Sequence, residues 1–188
     1  EVLMEFRKLT LQDRPLFEKL KENAPDTTGW EYSFDVLWIW DVYSNVHVYT
    51  RPDRMYLQAR VGGKHKFYPP LVADPADIPA AIDEMAAYAK ASGMPFCMFG
   101  IGDAMLPYID TEKYAARADR GAADYIYAAS DLITLSGKKF HSKRNFISRF
   151  TGKYAYDFRP YRPSDRKQVE TLYDKWNVES EHETMRAE

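Results

Sequence analysis

Leu135-Ser136-Gly137-Lys138-Lys139-Phe140-His141-Ser142-Lys143-Arg144-Asn145-Phe146-Ile147-Ser148-Arg149-Phe150 is the stretch on which the reading of this chain turns. It holds Lys138, Lys139, Lys143, Arg144 and Arg149, with His141 among them and no Asp or Glu. The whole chain carries a formal net charge of -2, so the block is a local electrostatic feature and not background composition. A strand-like run, Asp124-Tyr125-Ile126-Tyr127-Ala128, precedes it, and a helix-like run follows from His141. Mixed α/β folds bring phosphate groups to such a place, because the first turn of a helix presents unpaired N–H groups and a partial positive charge. Gly137 supplies backbone freedom at the turn. A solvated helix face more often mixes charge signs, and that is the plain alternative for a basic run.

Outward from this block, the bulk composition sets the frame. A length of 188 residues suits one domain better than two. Aromatic residues are enriched at 15%, enough to build a core and to line a cleft with flat rings. The near-neutral balance excludes a general affinity for nucleic acid or anionic lipid, and leaves only the basic block to supply one. A single cysteine, Cys97, rules out an internal disulfide framework and fits a reducing, cytoplasmic setting. In the apolar run Pro95-Phe96-Cys97-Met98-Phe99 it reads as a small buried hydrophobe. No window approaches the ~18 apolar residues of a membrane span, and the beginning lacks a signal-peptide pattern.

The order of elements follows from periodicity and turn chemistry. Met4–Leu9 reads as a strand leading through Thr10-Leu11-Gln12-Asp13 into a capped helix with Leu16, Phe17 and Leu20 on one side. Ser33 caps a short apolar helix, and Trp38, Trp40 and Tyr43 read as core. Val46–Tyr49, Met55–Val61 and Lys64–Tyr68 are strands, the last two joined at Gly62-Gly63. Asp77–Ala91 is an amphipathic helix with Ile78, Ala81, Ile82, Met85, Ala86 and Ala89 on its stripe, closed by Gly93. Met94–Phe99, Asp124–Ala128 and Tyr154–Tyr161 read as strands and Pro163–Trp176 as a helix, with a charged, fraying end after Asn177. The fold class is mixed α/β (α+β), a mixed sheet flanked by helices. Phe6–Arg14 also resembles Phe158–Arg166, each a strand running through a capped turn into a helix.

Candidate chemistry is sparse outside the basic block. Tyr125 and Tyr127, one strand pitch apart on one face, are candidates to line a cleft beside it. Asp103, Asp110 and Asp124 are available as bases, but no spacing selects one, so the catalytic base is unassigned. His47, His65 and His182 are isolated, and no metal-ligand spacing occurs. No nucleophile elbow, Walker loop or dinucleotide fingerprint is present.

The runs Asp124–Tyr127, Asp131-Leu132, Leu135–Lys139 and His141–Asn145, with Phe150, resemble a bacterial family of uncharacterised proteins related to the C-terminal domain of phosphatidylglycerol lysyltransferase. Tyr32-Ser33-Phe34 and Leu37-Trp38-Ile39-Trp40 resemble its N-terminal motif. The resemblance implies two tandem N-acetyltransferase-like domains, the first over residues 1–153 and the second beginning at 154–188, so the chain is expected to be a piece of a longer protein. It implies an acyltransferase-like function, with aminoacyl-tRNA as donor and an amine or lipid as acceptor. Gly137, Lys138, Lys139, His141, Lys143, Arg144 and Asn145 would hold the donor phosphates, with Tyr125 and Tyr127 beside the cleft. The alternatives are a non-catalytic module that binds an anion or a partner, and an acetyl-CoA-dependent N-acetyltransferase. The usual acetyltransferase loop is Gln/Arg-x-x-Gly-x-Gly/Ala; with Gly137 at its first glycine, Thr134 and Lys139 fall at the other two defining positions. Bulky Lys139 crowds such a loop and disfavours acetyl-CoA. The acceptor and the oligomeric state are not specified by these motifs.

Overall fold

In the computed structural model, which describes residues 4–61 and 63–179, the chain divides into two compact units, Glu1–Ile126 and Tyr127–Glu188. The first unit is built on a five-stranded sheet, with β1 at Arg7–Lys8, β2 at His47–Arg51, β3 at Arg54–Val61, β4 at Lys64–Phe67 and β5 at Leu71–Val72. All its named pairings are antiparallel, with β3 in the middle. β4 and β5 line the same edge of β3 in succession. Tyr68 N–H donates to Leu57 O at 3.0 Å and continues the ladder. Pro69 and Pro70 have no N–H to give, so pairing stops and resumes at Leu71. Residues 94–99, expected as a full strand, make one parallel bridge, Phe67 to Met98. Phe67 N–H donates to Cys97 O at 2.8 Å, and Phe99 N–H to Phe67 O at 3.0 Å.

The strand period of two sorts the core into two layers. Met55, Leu57 and Ala59 of β3 face one way, with Val48, and pack against Phe17 and Leu20 of helix α1 (Arg14–Lys21) and Phe34 and Leu37 of α2 (Phe34–Ile39). Tyr49, Tyr56 and Phe67 face the other way and pack under α4 (Ile78–Ala91), beyond the short α3 (Asp41–Ser44). The expected stripe of α4 is the buried one at Ile78, Ala81, Ile82, Met85 and Ala89, whereas Ala86 is half-buried. Ser33 Oγ accepts from Val36 N–H, as expected for a cap of α2. The aromatic run after it departs from the expectation. Trp38, Trp40 and Tyr43 are exposed, because α2 and α3 are too short to turn every ring inward. Cys97 is exposed as well, since its segment only bridges the sheet at one edge.

The second unit is helical among its described residues: α5 at Ala129–Thr134, α6 at His141–Lys153 and α7 at Arg166–Glu179. The strands expected at 124–128 and 154–161 do not form. The first is rich in aromatic and β-branched residues and the second alternates apolar and polar side chains, but no described strand lies alongside to take their N–H and C=O groups, and an unpaired strand is not stable alone. Their apolar residues are exposed, with Phe158 at 95%. Of the end expected to fray after Asn177, residues 178–179 continue α7, and 180–188, with His182, lie outside the described residues, as does Gly62.

The internal similarity is realised in the Arg–Asp clamp and its backbone bond. In the first copy, Thr10 N–H donates to Asp13 Oδ2 at 2.8 Å, and Arg7 grips the same carboxylate through two nitrogens at 2.9 and 2.5 Å. In the second, Arg162 N–H donates to Asp165 Oδ2 at 2.8 Å, and Arg159 grips it at 2.7 and 2.8 Å. Arg7 and Arg159 each also reach the carbonyl of the following residue at 3.2 Å. Both clamps close a 3-10 turn that feeds directly into α1 or α7.

Candidate functional site

The basic segment forms a loop and a helix start. α5 ends at Leu135, a non-glycine residue in the left-handed region (φ 46°), and Gly137 follows at φ 86°, a conformation that favours glycine. A 3-10 turn over Lys138–Phe140 then enters α6. Arg144, in the first turns of α6, reaches back. Its Nη1 donates to the carbonyls of Leu135 and, at 2.9 Å, Gly137. One guanidinium nitrogen therefore satisfies two loop carbonyls and fixes the strained pair of residues.

The other expected site residues divide by their partners. Lys139 is paired with Asp131 at 2.8 Å and lies over the ring of buried Phe140 at 4.9 Å. Asn145 Nδ2 donates to His141 Nε2 at 3.1 Å, which in the neutral ring leaves the proton on Nδ1. Lys138 and Lys143 are exposed and have no ion pair among the described residues. The structure thus brings Gly137, Lys138, Lys139, His141, Lys143, Arg144 and Asn145 to one loop and the start of a 13-residue helix. It does not place Tyr125 and Tyr127 on a strand face. Both sit in irregular backbone and are exposed, Tyr125 next to the last residue of the first unit and Tyr127 opening the second.

Sequence reasoning passed over two features of the first unit. One is a cleft of about 320 Å³ walled by Trp30, Tyr68 and Phe99, with Lys64 and Lys66 at its rim. Nothing in the sequence joins Trp30 to Phe99; the sheet does. The other is Glu31, a buried carboxyl raised above its ordinary value first by burial and further by the nearby charge of Asp124. It fills the space over Gly100, where an added Cβ would come within 2.4 Å of it. Among the described residues no group of His, Cys, Asp and Glu could hold a metal ion, and no helix is long and apolar enough to cross a membrane.

An antiparallel sheet covered on both faces, followed by a helical unit with a basic helix-start loop, makes this a mixed α/β protein whose candidate chemistry lies outside the sheet. The chain belongs to the phosphatidylglycerol lysyltransferase C-terminal family, whose profile matches residues 25–187. That family is acyltransferase- or aminoacyltransferase-like. Among solved structures, the chain is similar to a conserved protein of unknown function from Bacteroides thetaiotaomicron VPI-5482, at 28% identity and a TM-score of 0.75. The match covers 96% of this chain and 63% of that one, so this chain spans less than two thirds of its solved relative. No curated protein matches the chain.

Proposed function

We propose that this chain is part of an aminoacyltransferase that moves an aminoacyl group from tRNA to an amine or lipid acceptor. The observation that carries the reading is the way the basic loop is held. Arg144 spends one nitrogen on the carbonyls of Leu135 and Gly137, and Lys138 and Lys143 have no acidic partner among the described residues beside the start of α6. Those two amines, with the first N–H groups of the turn, are the donor-phosphate contacts, and Arg144 and Gly137 shape the loop. Lys139, His141 and Asn145 flank it. Tyr125 and Tyr127 stand nearby in sequence as cleft residues. An aminoacyl ester is already activated, so holding it against an amine supplies most of the acceleration: the amine attacks the ester carbonyl and the tRNA hydroxyl leaves. The base that takes the amine proton is unassigned.

The domain reading belongs with this function. Residues 1–153 form the first N-acetyltransferase-like domain, and residues 154–188 open a second, in which Phe158, Tyr161, Val169 and Leu172 take the places of Phe6, Leu9, Phe17 and Leu20. The support is register: a constant offset carries both Arg–Asp clamps and these four apolar positions onto one another. Catalysis by the whole protein then requires the completed second domain. A non-catalytic anion-binding module is the second reading, favoured by the absence of any carboxylate within Leu135–Phe150 to act as base.

Equilibrium binding of aminoacyl-tRNA and of acetyl-CoA tests this. The reading expects salt-sensitive tRNA binding that weakens in Lys138→Ala/Lys143→Ala, with the salt slope falling by about two. Acetyl-CoA binding in preference to tRNA overturns it. Binding without transfer in the complete protein supports the module.

A further inference from the structure

We infer that the cleft of the first unit is a binding site for a nucleoside phosphate, with the base against the wall formed by Trp30 and Phe99 over Tyr68 and the phosphate at Lys64 and Lys66. The three rings pack against one another and form one aromatic wall, with Tyr68 buried behind the half-buried Trp30 and Phe99. Trp30 and Tyr68 are perpendicular at 6.0 Å, and Phe99 lies 4.7 Å from Tyr68 and 6.4 Å from Trp30. Their backbones are fixed: Trp30 N–H donates to Asp124 Oδ2 at 3.3 Å, Tyr68 N–H to Leu57 O, and Phe99 N–H to Phe67 O. Ala59, small and buried, leaves the floor open. Ser44 contributes a hydroxyl to the wall.

Charge selects the ligand class. Lys64 and Lys66 are two apart on β4, so they project from one face of the strand. Both are exposed, and neither has an ion pair among the described residues. Among the described residues no carboxylate lines the cleft. The Lys66 amine already lies 5.6 Å from the centroid of the Phe99 ring, so an aromatic cage for a ligand cation is closed off by the protein's own. What remains is a ligand with a flat apolar body and a compact anionic head. The Tyr68 phenol, its pKa pushed up to about 12 chiefly by burial, stays neutral throughout the physiological range and is hydrogen-bonded to the Ser44 hydroxyl. A volume of about 320 Å³ is at the lower end of small-molecule sites and suits one nucleotide unit. Stacking of a base on aromatic rings, with a nearby amine for its phosphate, is how nucleotide units are held without reading sequence.

The inference uses no residue of the basic loop, so it stands or falls separately from the aminoacyltransferase reading. The test is titration of the ¹⁵N-labelled chain with adenosine 5′-monophosphate, adenosine, inorganic phosphate and a short single-stranded RNA, following the four indole N–H signals. Adenosine 5′-monophosphate should shift the Trp30 signal and leave Trp38, Trp40 and Trp176 in place. Adenosine alone and phosphate alone should each bind about tenfold or more weakly. Lys64→Ala/Lys66→Ala, at exposed positions that spare the core, should weaken the nucleotide by a similar factor while leaving the spectrum folded. Tighter binding of the RNA assigns the site to a nucleic-acid end, and tighter binding of the mononucleotide assigns it to a free nucleotide. An unmoved Trp30 signal, an unchanged affinity in the double variant, or phosphate alone binding as well as the nucleotide overturns the inference.

Discussion

The two Arg–Asp clamps have the same bonds and opposite surroundings. Asp13 is buried, and the residues it anchors, Leu9, Phe17 and Leu20, are 0 to 2% exposed beneath the sheet. Asp165 closes an equivalent turn, yet Tyr161, Val169 and Leu172, in the matching positions, are 52 to 68% exposed. The clamp is therefore a local device that the Arg-x5-Asp spacing specifies by itself. Burial of the helix it starts is a separate event that needs a sheet. The titration of the two carboxylates reflects the same contrast. Burial opposes ionisation of Asp13, and the contacts from Arg7 and Thr10 outweigh it, so its pKa is lowered. Asp165 has little burial to overcome, and Arg159 with the Arg162 N–H brings it to about 2.

Variants at matched positions break or sharpen that comparison. Phe17→Ala should destabilise the chain by about 3–5 kcal/mol in chemical denaturation, whereas Val169→Ala should change it by less than about 0.5 kcal/mol. Next in size is Asp13→Ala, which leaves the Thr10 N–H and the Arg7 guanidinium unpaired. It should cost about 2 kcal/mol, with Asp165→Ala leaving the melting temperature unmoved. The pH dependence has a defined sign. The folded pKa of Asp13 is depressed, so its contribution is complete above the ordinary value of 3.8 and is lost as pH falls through the folded value. Acid titration of the parent and Asp13→Asn should therefore converge only below that range.

Smaller effects separate backbone from charge. Gly137→Ala meets no atom but forces an alanine to a φ near 86°, so about 1–2 kcal/mol of local strain should appear as faster amide exchange at residues 135–140. Glu31→Gln should act in the opposite direction. A carboxyl with a raised folded pKa loses stability as pH rises through that value, so the ionised form is penalised at neutral pH. Replacing it should raise the Tm by about 2–4 °C at pH 7 and by less at pH 4, in scanning calorimetry.

Local signals in the sequence were enough for some elements and not for others. The Thr10–Asp13 cap, the stripe of α4 and the hairpin of β3 with β4 rest on contacts among near neighbours in sequence, and all three are found. The segment at 124–128 carries strand-forming residue types and that at 154–161 a period of two, but neither forms a strand. Alternation says which face would be buried once a neighbouring strand exists, not that one does. Cys97 and the Trp38–Tyr43 run misled for a related reason: apolar composition does not say how many sides of an element are covered. At the candidate site, the basic charge was legible residue by residue. The return of Arg144 onto two carbonyls seven and nine residues earlier was not, because it depends on the positive φ of Leu135 and Gly137.

The most direct test of the account is the salt dependence of aminoacyl-tRNA binding by the parent chain and by Lys138→Ala/Lys143→Ala. The account predicts binding whose log–log salt slope falls by about two in the double variant, with an unchanged melting temperature. Equal affinity and equal slope for the two proteins would contradict it.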